Sequence, residues 1–401
     1  MDKAYRTLDQ LPPVDNRPVL LRVDFNVPVD EAGRITDDTR IQAALPTIRE
    51  LRDKGAKVIV MSHRGRPKGP DPALSLRVAA DRLGELLGTP VAFVAAVVGP
   101  QVGEAVRQLE PGHVLVLENL RFEPGEKSGD RAFAEQLASY GEIYVNDAFG
   151  AVHRPDASVS QLPALLPGYA GRLLAREVEV LEELLGHPTR PYWAIVGGSK
   201  VSDKVRLLGR LIDQVDGLVI GGGMANTFLV AQGYQLGASK VEQEAVELAH
   251  QLLKQAEARQ VPVILPRDLV VATGFRPDAP HRIASPDAVL AEEMALDVGP
   301  QTVADVLQTL KSARTVFWNG PMGVFEWEAF SQGTLAVAQG LAELDATVVV
   351  GGGDSVAAVT KAGVKDRLTH ISTGGGATLE LLEGKQLPGL EALKTSRHER
   401  G

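Results

Sequence analysis

Four segments in the first half of the chain set arginine beside amide, hydroxyl or carboxylate side chains. They are Arg22-Val23-Asp24-Phe25-Asn26, Ser62-His63-Arg64-Gly65-Arg66-Pro67-Lys68, Glu118-Asn119-Leu120-Arg121-Phe122, and Asn146-Asp147-Ala148-Phe149-Gly150 with His153-Arg154 just beyond. Arg40 follows the first of them. A guanidinium offers parallel N–H donors that match a carboxylate or phosphate two at a time. One such arginine is ordinarily a solvated surface charge. Several on neighbouring loops indicate a small polyanion as ligand. The second half of the chain offers a different chemistry. It carries Gly197-Gly198-Ser199-Lys200, Gly221-Gly222-Gly223-Met224, Asn319-Gly320-Pro321, Gly351-Gly352-Gly353-Asp354-Ser355 and Thr373-Gly374-Gly375-Gly376-Ala377-Thr378. Glycine lets backbone amides come close to a phosphate, and a helix starting there adds a favourable dipole. A single glycine run is as readily a tight turn. The repetition points to a nucleotide with several phosphates.

All of these segments but the last follow a short apolar run. In the first half the runs begin at Val19, Val58, Val91, Val114 and Ile143, and in the second at Ala194, Leu218, Val263, Val316 and Val348. They are rich in β-branched residues and apolar at successive positions, as suits strands buried on both faces of a parallel sheet. Helical spacing lies between them, at about residues 37–54, 75–87, 130–140 and 241–259. Alternating strands and helices predict two doubly wound, Rossmann-like parallel-sheet domains. Ligands of such sheets bind beyond the carboxyl ends of the strands, where the basic and glycine-rich segments fall. Pro163, Pro167, Gly168 and Gly171 punctuate the middle of the chain, and residues 172–185 follow with helical spacing. The expected domains are therefore 1–171 and 187–382, joined by an interdomain helix and hinge at 172–186.

Bulk composition narrows the field. The 401 residues exceed one ordinary core, and the formal net charge of −9 argues against general nucleic-acid binding. The chain has no cysteine, which excludes disulfides, thiol nucleophiles and cysteine-ligated zinc and fits a reducing compartment. The amino-terminal residues lack an apolar signal core, and no apolar run is long enough to span a bilayer. A soluble, unexported protein is expected. There is no G-x-x-x-x-G-K-[ST] segment and no complete G-x-G-x-x-G after a strand. These absences argue against a P-loop enzyme and a dinucleotide enzyme. The eight histidines mostly stand alone, His63 among arginines excepted. The residues thus describe one domain for a small anion and another for a nucleotide, which suggests a kinase of a small phosphorylated acid. A non-catalytic two-domain binder of phosphorylated ligands is the rival, although Lys200 and Lys204 beside Asp354 exceed what mere binding asks.

Six of these stretches resemble phosphoglycerate kinase. They are Arg22-Val23-Asp24-Phe25-Asn26-Val27-Pro28, Ser62-His63-Arg64-Gly65-Arg66-Pro67, Glu118-Asn119-Leu120-Arg121-Phe122, Gly197-Gly198-Ser199-Lys200-Val201, Trp318-Asn319-Gly320-Pro321-Met322-Gly323-Val324-Phe325-Glu326 and Ser372-Thr373-Gly374-Gly375-Gly376-Ala377. They stand in the family's order and cover nearly the whole chain. The resemblance implies reversible phosphoryl transfer between 1,3-bisphosphoglycerate and MgADP, giving 3-phosphoglycerate and MgATP, in a cytoplasmic monomer with no nucleic-acid or membrane partner. It implies that Asp24 and Asn26 hold the hydroxyl and carboxylate end of the triose acid. His63, Arg66, Arg121 and Arg154 would bind its distal phosphate or neighbouring oxygens, and Arg40 the carboxylate and the phosphoryl group in flight. Lys200 would follow that group, Lys204 would meet the nucleotide phosphates, and Asp354 would help hold Mg2+. Glu326 would contact the ribose. The amides of Gly374, Gly375 and Gly376 would receive transition-state charge. Gly198, Ser199, Gly222, Asn319, Gly352, Gly353 and Ser355 complete the expected nucleotide site. The tail, 383–401, would pack on the first domain.

The chain departs from the family pattern in three places. Ser355 replaces a common threonine but keeps the hydroxyl, and the segment before the first strand lacks a lysine-glycine turn. Pro155 and Asp156 follow Arg154 where alanine-like residues are common. The expected acceptor is a carboxylate already ionised at neutral pH, so no general base is required, and alignment and charge carry the chemistry.

Overall fold

The computed structural model describes residues 4–396. In the first half the apolar runs form β1 (Pro18–Arg22), β2 (Lys57–Met61), β3 (Ala92–Val94), β4 (Val114–Leu117), β5 (Ile143–Asn146) and β6 (Gly168–Ala170). They make one parallel sheet in the order β3-β4-β2-β1-β5-β6. Val19, Leu20 and Leu21 of β1 are all buried, because helices cover both faces of the sheet. The chain winds outward from β1 through β2, then crosses to β5 on the other side. The carboxyl ends of β1 and β5 therefore flank a topological switch point, the place where such sheets open a ligand crevice.

The second half repeats this plan. Its parallel sheet runs β15-β14-β13-β7-β8-β9, with β7 (Tyr192–Val196), β8 (Gly217–Ile220), β9 (Val263–Ile264), β13 (Thr315–Asn319), β14 (Thr347–Gly351) and β15 (His370–Ile371). Here the switch point lies between β7 and β13, whose ends carry Gly197 and Asn319-Gly320. A third, antiparallel sheet of β10 (Leu269–Ala272), β11 (His281–Ala284) and β12 (Met294–Val298) was not expected from the sequence. Its outer strand β11 exposes His281, Arg282 and Ile283, so no apolar run announces it.

Several boundaries move inward. Helices begin at Thr39, Arg77, Arg131 and Val246 rather than at residues 37, 75, 130 and 241. Gly168, read as punctuation, instead lies in β6. Its amide donates to Ser396 Oγ at 2.7 Å, and β6 pairs with β5. The chain forms two compact units, one running to Glu179 and resuming at Gln386, the other Val180–Lys385. The division falls inside the helix Arg172–Gly186, whose Leu174, Val178, Leu181 and Leu184 are buried at helical spacing. The tail helix Pro388–Lys394 belongs to the first unit, where Gly389 N–H donates to Val152 O at 2.8 Å. Residues 397–401 of the expected tail lie outside the described residues.

Side chains of the first unit satisfy the amides that open the helix Arg172–Gly186. Arg172 N–H donates to Thr47 Oγ1 at 2.9 Å, and Asp147 Oδ1 accepts from Leu173 N at 2.9 Å and Leu174 N at 3.2 Å. The Arg172 guanidinium grips Glu50 at 2.8 and 2.9 Å. A Cβ on Gly171 would stand 2.1 Å from Asp147 Oδ1, so only glycine admits this cap. Burial pushes the Asp147 carboxyl up to about 7 from its ordinary 3.8, although the Leu174 amide, the Thr47 hydroxyl and the Leu173 amide pull the other way. Between those values the unfolded chain ionises while the folded protein stays protonated, so stability falls as pH rises and levels off above about 7. Asp147→Asn keeps an acceptor for both amides and removes the titration. Its stability relative to wild type should rise by about 2–4 kcal/mol between pH 4 and pH 8 in urea unfolding. A constant difference across that range would refute the assignment.

Candidate active site

β1 ends in Arg22, and the loop after it folds back so that its polar groups converge. Asn26 N–H donates to Asp24 Oδ1 at 3.1 Å, and Arg40 Nη1 reaches Asp24 Oδ1 at 3.4 Å and Asn26 O at 2.8 Å. Asn26 Oδ1 accepts from Gly65 N at 2.9 Å, tying this loop to the one after β2. Arg121 Nη1 donates to Gly65 O at 2.7 Å from the loop after β4. Asp24, Asn26, Arg40 and Arg121 thus meet around a single loop at Gly65. Arg66, next in that loop, is exposed.

Electrostatics marks this as an anion pocket. His63 is 2% exposed, and burial holds its imidazole well below its ordinary 6.5. The cationic Arg22, Arg121, Arg154 and Arg40 add to that shift, so His63 is neutral at physiological pH. Burial also lowers Arg121, with Arg154 and Arg22 adding repulsion. Arg121 Nε and Arg154 Nη1 are buried without a hydrogen-bond partner. Cations held this close, with donors unsatisfied, favour an anion among them. Asp156, one of the departures after Arg154, lies 3.9 Å from Arg121 and offsets part of its charge.

Not every arginine in these loops faces a ligand. Arg64 is buried and donates to the carbonyls of Val27, Ala73 and Ser75. Arg22 is wholly buried, donating through Nε to Ser158 Oγ at 2.8 Å and through Nη2 to His63 Nδ1 at 3.0 Å. Both belong to the scaffold of the pocket. Ser158 and Glu126, which support Arg22, were missed because nothing in the spacing of a lone serine or glutamate marks it.

In the second unit the loops after β7 and β13 pack backbone against backbone. A Cβ on Gly197 would stand 2.1 Å from Pro321 O. Gly222 has φ +69°, and a Cβ there would come within 2.6 Å of Gly198 O. Asn319 is buried, donates from Nδ2 to Gly351 O at 2.8 Å, and accepts a hydrogen bond from Lys204 Nζ on Oδ1. Lys204 ends a turn just before the helix Val205–Ile212. Burial lowers its pKa, and Asp203, Asp354 and Glu383 oppose that shift. Ser355 Oγ accepts from Gly320 N at 2.6 Å, so this hydroxyl ties the loop after β13 to the helix Gly353–Lys361. Gly374 N–H likewise donates to Ser372 Oγ at 3.2 Å.

Two adjoining hollows result. One, about 320 Å³, is lined by Lys200, Lys204, Gly352, Gly353, Gly375 and Gly376 among others. The other, about 710 Å³, has apolar walls from Leu269, Leu296, Met322 and Val324, with Gly222 and Glu326 in its lining. Gly198, Ser199, Pro321 and Asp354 line both. A polar trough continuous with an apolar slot suits the phosphates and the base of one nucleotide. The apolar walls come partly from β10 and β12, which is why sequence reading did not find them.

An arginine-lined pocket on one doubly wound unit and a glycine-lined nucleotide cradle on the other define a phosphotransferase acting on a small anionic acceptor. The family model for phosphoglycerate kinase matches residues 8–385. The chain is 56% identical over 381 residues to the phosphoglycerate kinase of Moorella thermoacetica, covering 95% of this chain and 97% of that protein. It is 54% identical over 398 residues to that of Salinispora arenicola, covering 97% and 99%. The structure of phosphoglycerate kinase from Coxiella burnetii superposes with a TM-score of 0.88 at 41% identity, covering 97% and 98% of the two chains. That from Pyrococcus horikoshii gives 0.85 at 32%, with the same coverage. The chain belongs to the phosphoglycerate kinase family.

Proposed function

We propose that this chain transfers a phosphoryl group reversibly between the carboxyl group of 1,3-bisphosphoglycerate and MgADP, giving 3-phosphoglycerate and MgATP. The observation that carries the reading is the pairing of a pocket of converging arginines around a neutral, buried histidine with a glycine-lined trough holding two lysines. Asp24 and Asn26 orient the hydroxyl and carboxylate end of the triose acid. His63, Arg66, Arg121 and Arg154 hold its distal phosphate, and Arg40 serves the carboxylate. The attacking oxygen is already anionic, so no proton has to be removed, and the work lies in alignment and charge. Lys200 and the amides of Gly375 and Gly376 meet charge on the transferring group, while Lys204, held by Asn319, meets the nucleotide phosphates. Glu326 contacts the ribose.

Asp354 suits Mg2+. It is an exposed carboxylate in the first turn of the helix Gly353–Lys361, and among the described residues no cluster of three or more His, Cys, Asp or Glu forms a protein metal cage. Magnesium commonly takes one or two carboxylates together with substrate phosphates. When bound, it would neutralise phosphate charge. Both ligands must share one reacting geometry away from water, so their joint binding is expected to close a hinge at the helix Arg172–Gly186. No helix among the described residues is long and apolar enough to cross a membrane. We place the protein in the cytoplasm as a monomer.

The test is a coupled assay with 3-phosphoglycerate and MgATP, in which glyceraldehyde-3-phosphate dehydrogenase and NADH consume the acyl phosphate. NADH loss that requires every component supports the reaction, and none from folded protein refutes it. Within that assay, Arg66→Ala should raise KM for 3-phosphoglycerate by about 10- to 100-fold, as loss of a charged hydrogen bond implies. It should leave KM for ATP unchanged. Normal saturation by the phosphoacid would remove Arg66 from the site.

A further inference from the structure

A buried chain of polar side chains runs behind the anion pocket. Glu126, Ser158 and Arg22 are each 0% exposed. Ser158 donates to Glu126 twice, from its amide to Oε1 at 2.7 Å and from Oγ to Oε2 at 2.6 Å. Arg22 Nε donates to the same Oγ at 2.8 Å, and Nη2 lies 3.0 Å from His63 Nδ1. The direction of each bond is forced. A guanidinium has donors only, so His63 Nδ1 must be the acceptor. In a neutral ring the proton then sits on Nε2. Ser158 Oγ, accepting from Arg22, has its own proton left for Glu126. Burial raises the pKa of Glu126, while Arg22 and the two Ser158 hydrogen bonds oppose that shift. As a carboxylate Glu126 accepts at both oxygens, and this order then satisfies every group.

We propose that Glu126 and Ser158 are positioning residues that, through Arg22, hold His63 in its Nε2–H tautomer so that it meets the phosphoacid as a hydrogen-bond donor. An imidazole nitrogen presented to an anion as a lone pair repels it, whereas an N–H attracts it. Charge alone cannot make that choice: Arg22, Arg121, Arg154 and Arg40 favour the neutral ring, and the Arg22 Nη2–H on Nδ1 selects the tautomer. The serine bridge, together with Val23 O accepting from Arg22 Nη1, fixes the plane of the Arg22 guanidinium and so which nitrogen keeps the proton. This inference rests on the placing of His63 against the phosphoacid, and its test separates the two.

The full-length protein, labelled with 15N in its histidines, is read by long-range proton–nitrogen correlation of the rings, with His63→Gln to assign the signal. The wild-type spectrum without substrate should show His63 protonated on Nε2 alone at pH 7. Protonation on Nδ1 would overturn the proposal without any variant. Ser158→Ala and Glu126→Gln should mix the tautomers, and Ser158→Thr should restore the single form. The first two should also raise KM for 3-phosphoglycerate by about five- to tenfold. KM for ATP and kcat should stay within about twofold of wild type, a split that general loosening of the fold would not give. Ring signals unchanged in both variants would overturn the relay whatever the kinetics. Changed signals with an unchanged phosphoacid KM would uphold the relay and remove His63 from substrate binding. Where one variant does not fold, the other and the wild-type spectrum decide.

Discussion

Replacing Lys200 by alanine is expected to lower kcat by about 10²- to 10³-fold, as loss of one preorganised charge in a transition state does. Lys200 follows β7 at the switch point and shares its hollow with Lys204, Gly375 and Gly376. In phosphoryl transfer through a loose transition state, charge spreads over the equatorial oxygens of the group in flight. A cation that meets those oxygens only during transfer stabilises the barrier top more than the bound substrate, so its loss appears in kcat rather than KM. KM for 3-phosphoglycerate should stay near wild type, because the arginine pocket is built by other loops. Lys204 has a fixed partner in Asn319, whereas Lys200 is exposed. This contrast is the reason to assign the moving phosphoryl group to Lys200 and the resting phosphates to Lys204. Steady-state kinetics with both substrates varied settles it. An unchanged kcat would take Lys200 out of the transition state.

Gly222→Ala should damage the nucleotide site and the second unit together. Gly222 has φ +69°, a region costing other residues roughly 1 kcal/mol or more. Its added Cβ would lie 2.6 Å from Gly198 O, 2.7 Å from Gly198 N and 2.9 Å from Pro321 O. All three are backbone atoms, which cannot rotate aside. The turn after β8 would have to draw away from the loops after β7 and β13, which line both hollows. A destabilisation of about 2–4 kcal/mol in urea unfolding and a weakening of ATP binding by tenfold or more (roughly 1.4 kcal/mol) are expected. Gly375→Ala provides the comparison. It shares a positive φ of +51°, but nothing lies within 4 Å of its Cβ position, so its stability loss should be the smaller. Equal losses at the two positions would show that strain alone, and not the close approach, sets the cost.

The sheets were legible because their strands are buried on both faces, which writes a continuous apolar run into the sequence at β1, β2, β4, β7, β13 and β14. The antiparallel sheet was not, because β11 is exposed along most of its length and β12 carries Asp297. The same rule divides the site residues. Basic and glycine-rich loops show themselves by position, directly after strands whose carboxyl ends face a crevice. Residues that act by touching another side chain across a long sequence gap carry no such mark.

Composition, periodicity and loop chemistry by themselves therefore determined two doubly wound units, a basic pocket in one and a glycine cradle in the other, while six longer motifs carried the family resemblance. Tertiary structure alone decided which arginines keep unpaired donors, as Arg121 Nε and Arg154 Nη1 do. Arg22 and Arg64 have the same side chain as Arg121 and Arg154, yet the fold satisfies the donors of Arg64 with carbonyls and turns Arg22 toward Ser158 and His63. It also decided that Ser355 ties a loop and that Asp147, just beyond β5, accepts from the amides opening the helix Arg172–Gly186. The reason is physical. Local sequence sets backbone preference and which face is apolar, but the partner of a buried polar group is chosen by what the packed core brings within 3 Å of it.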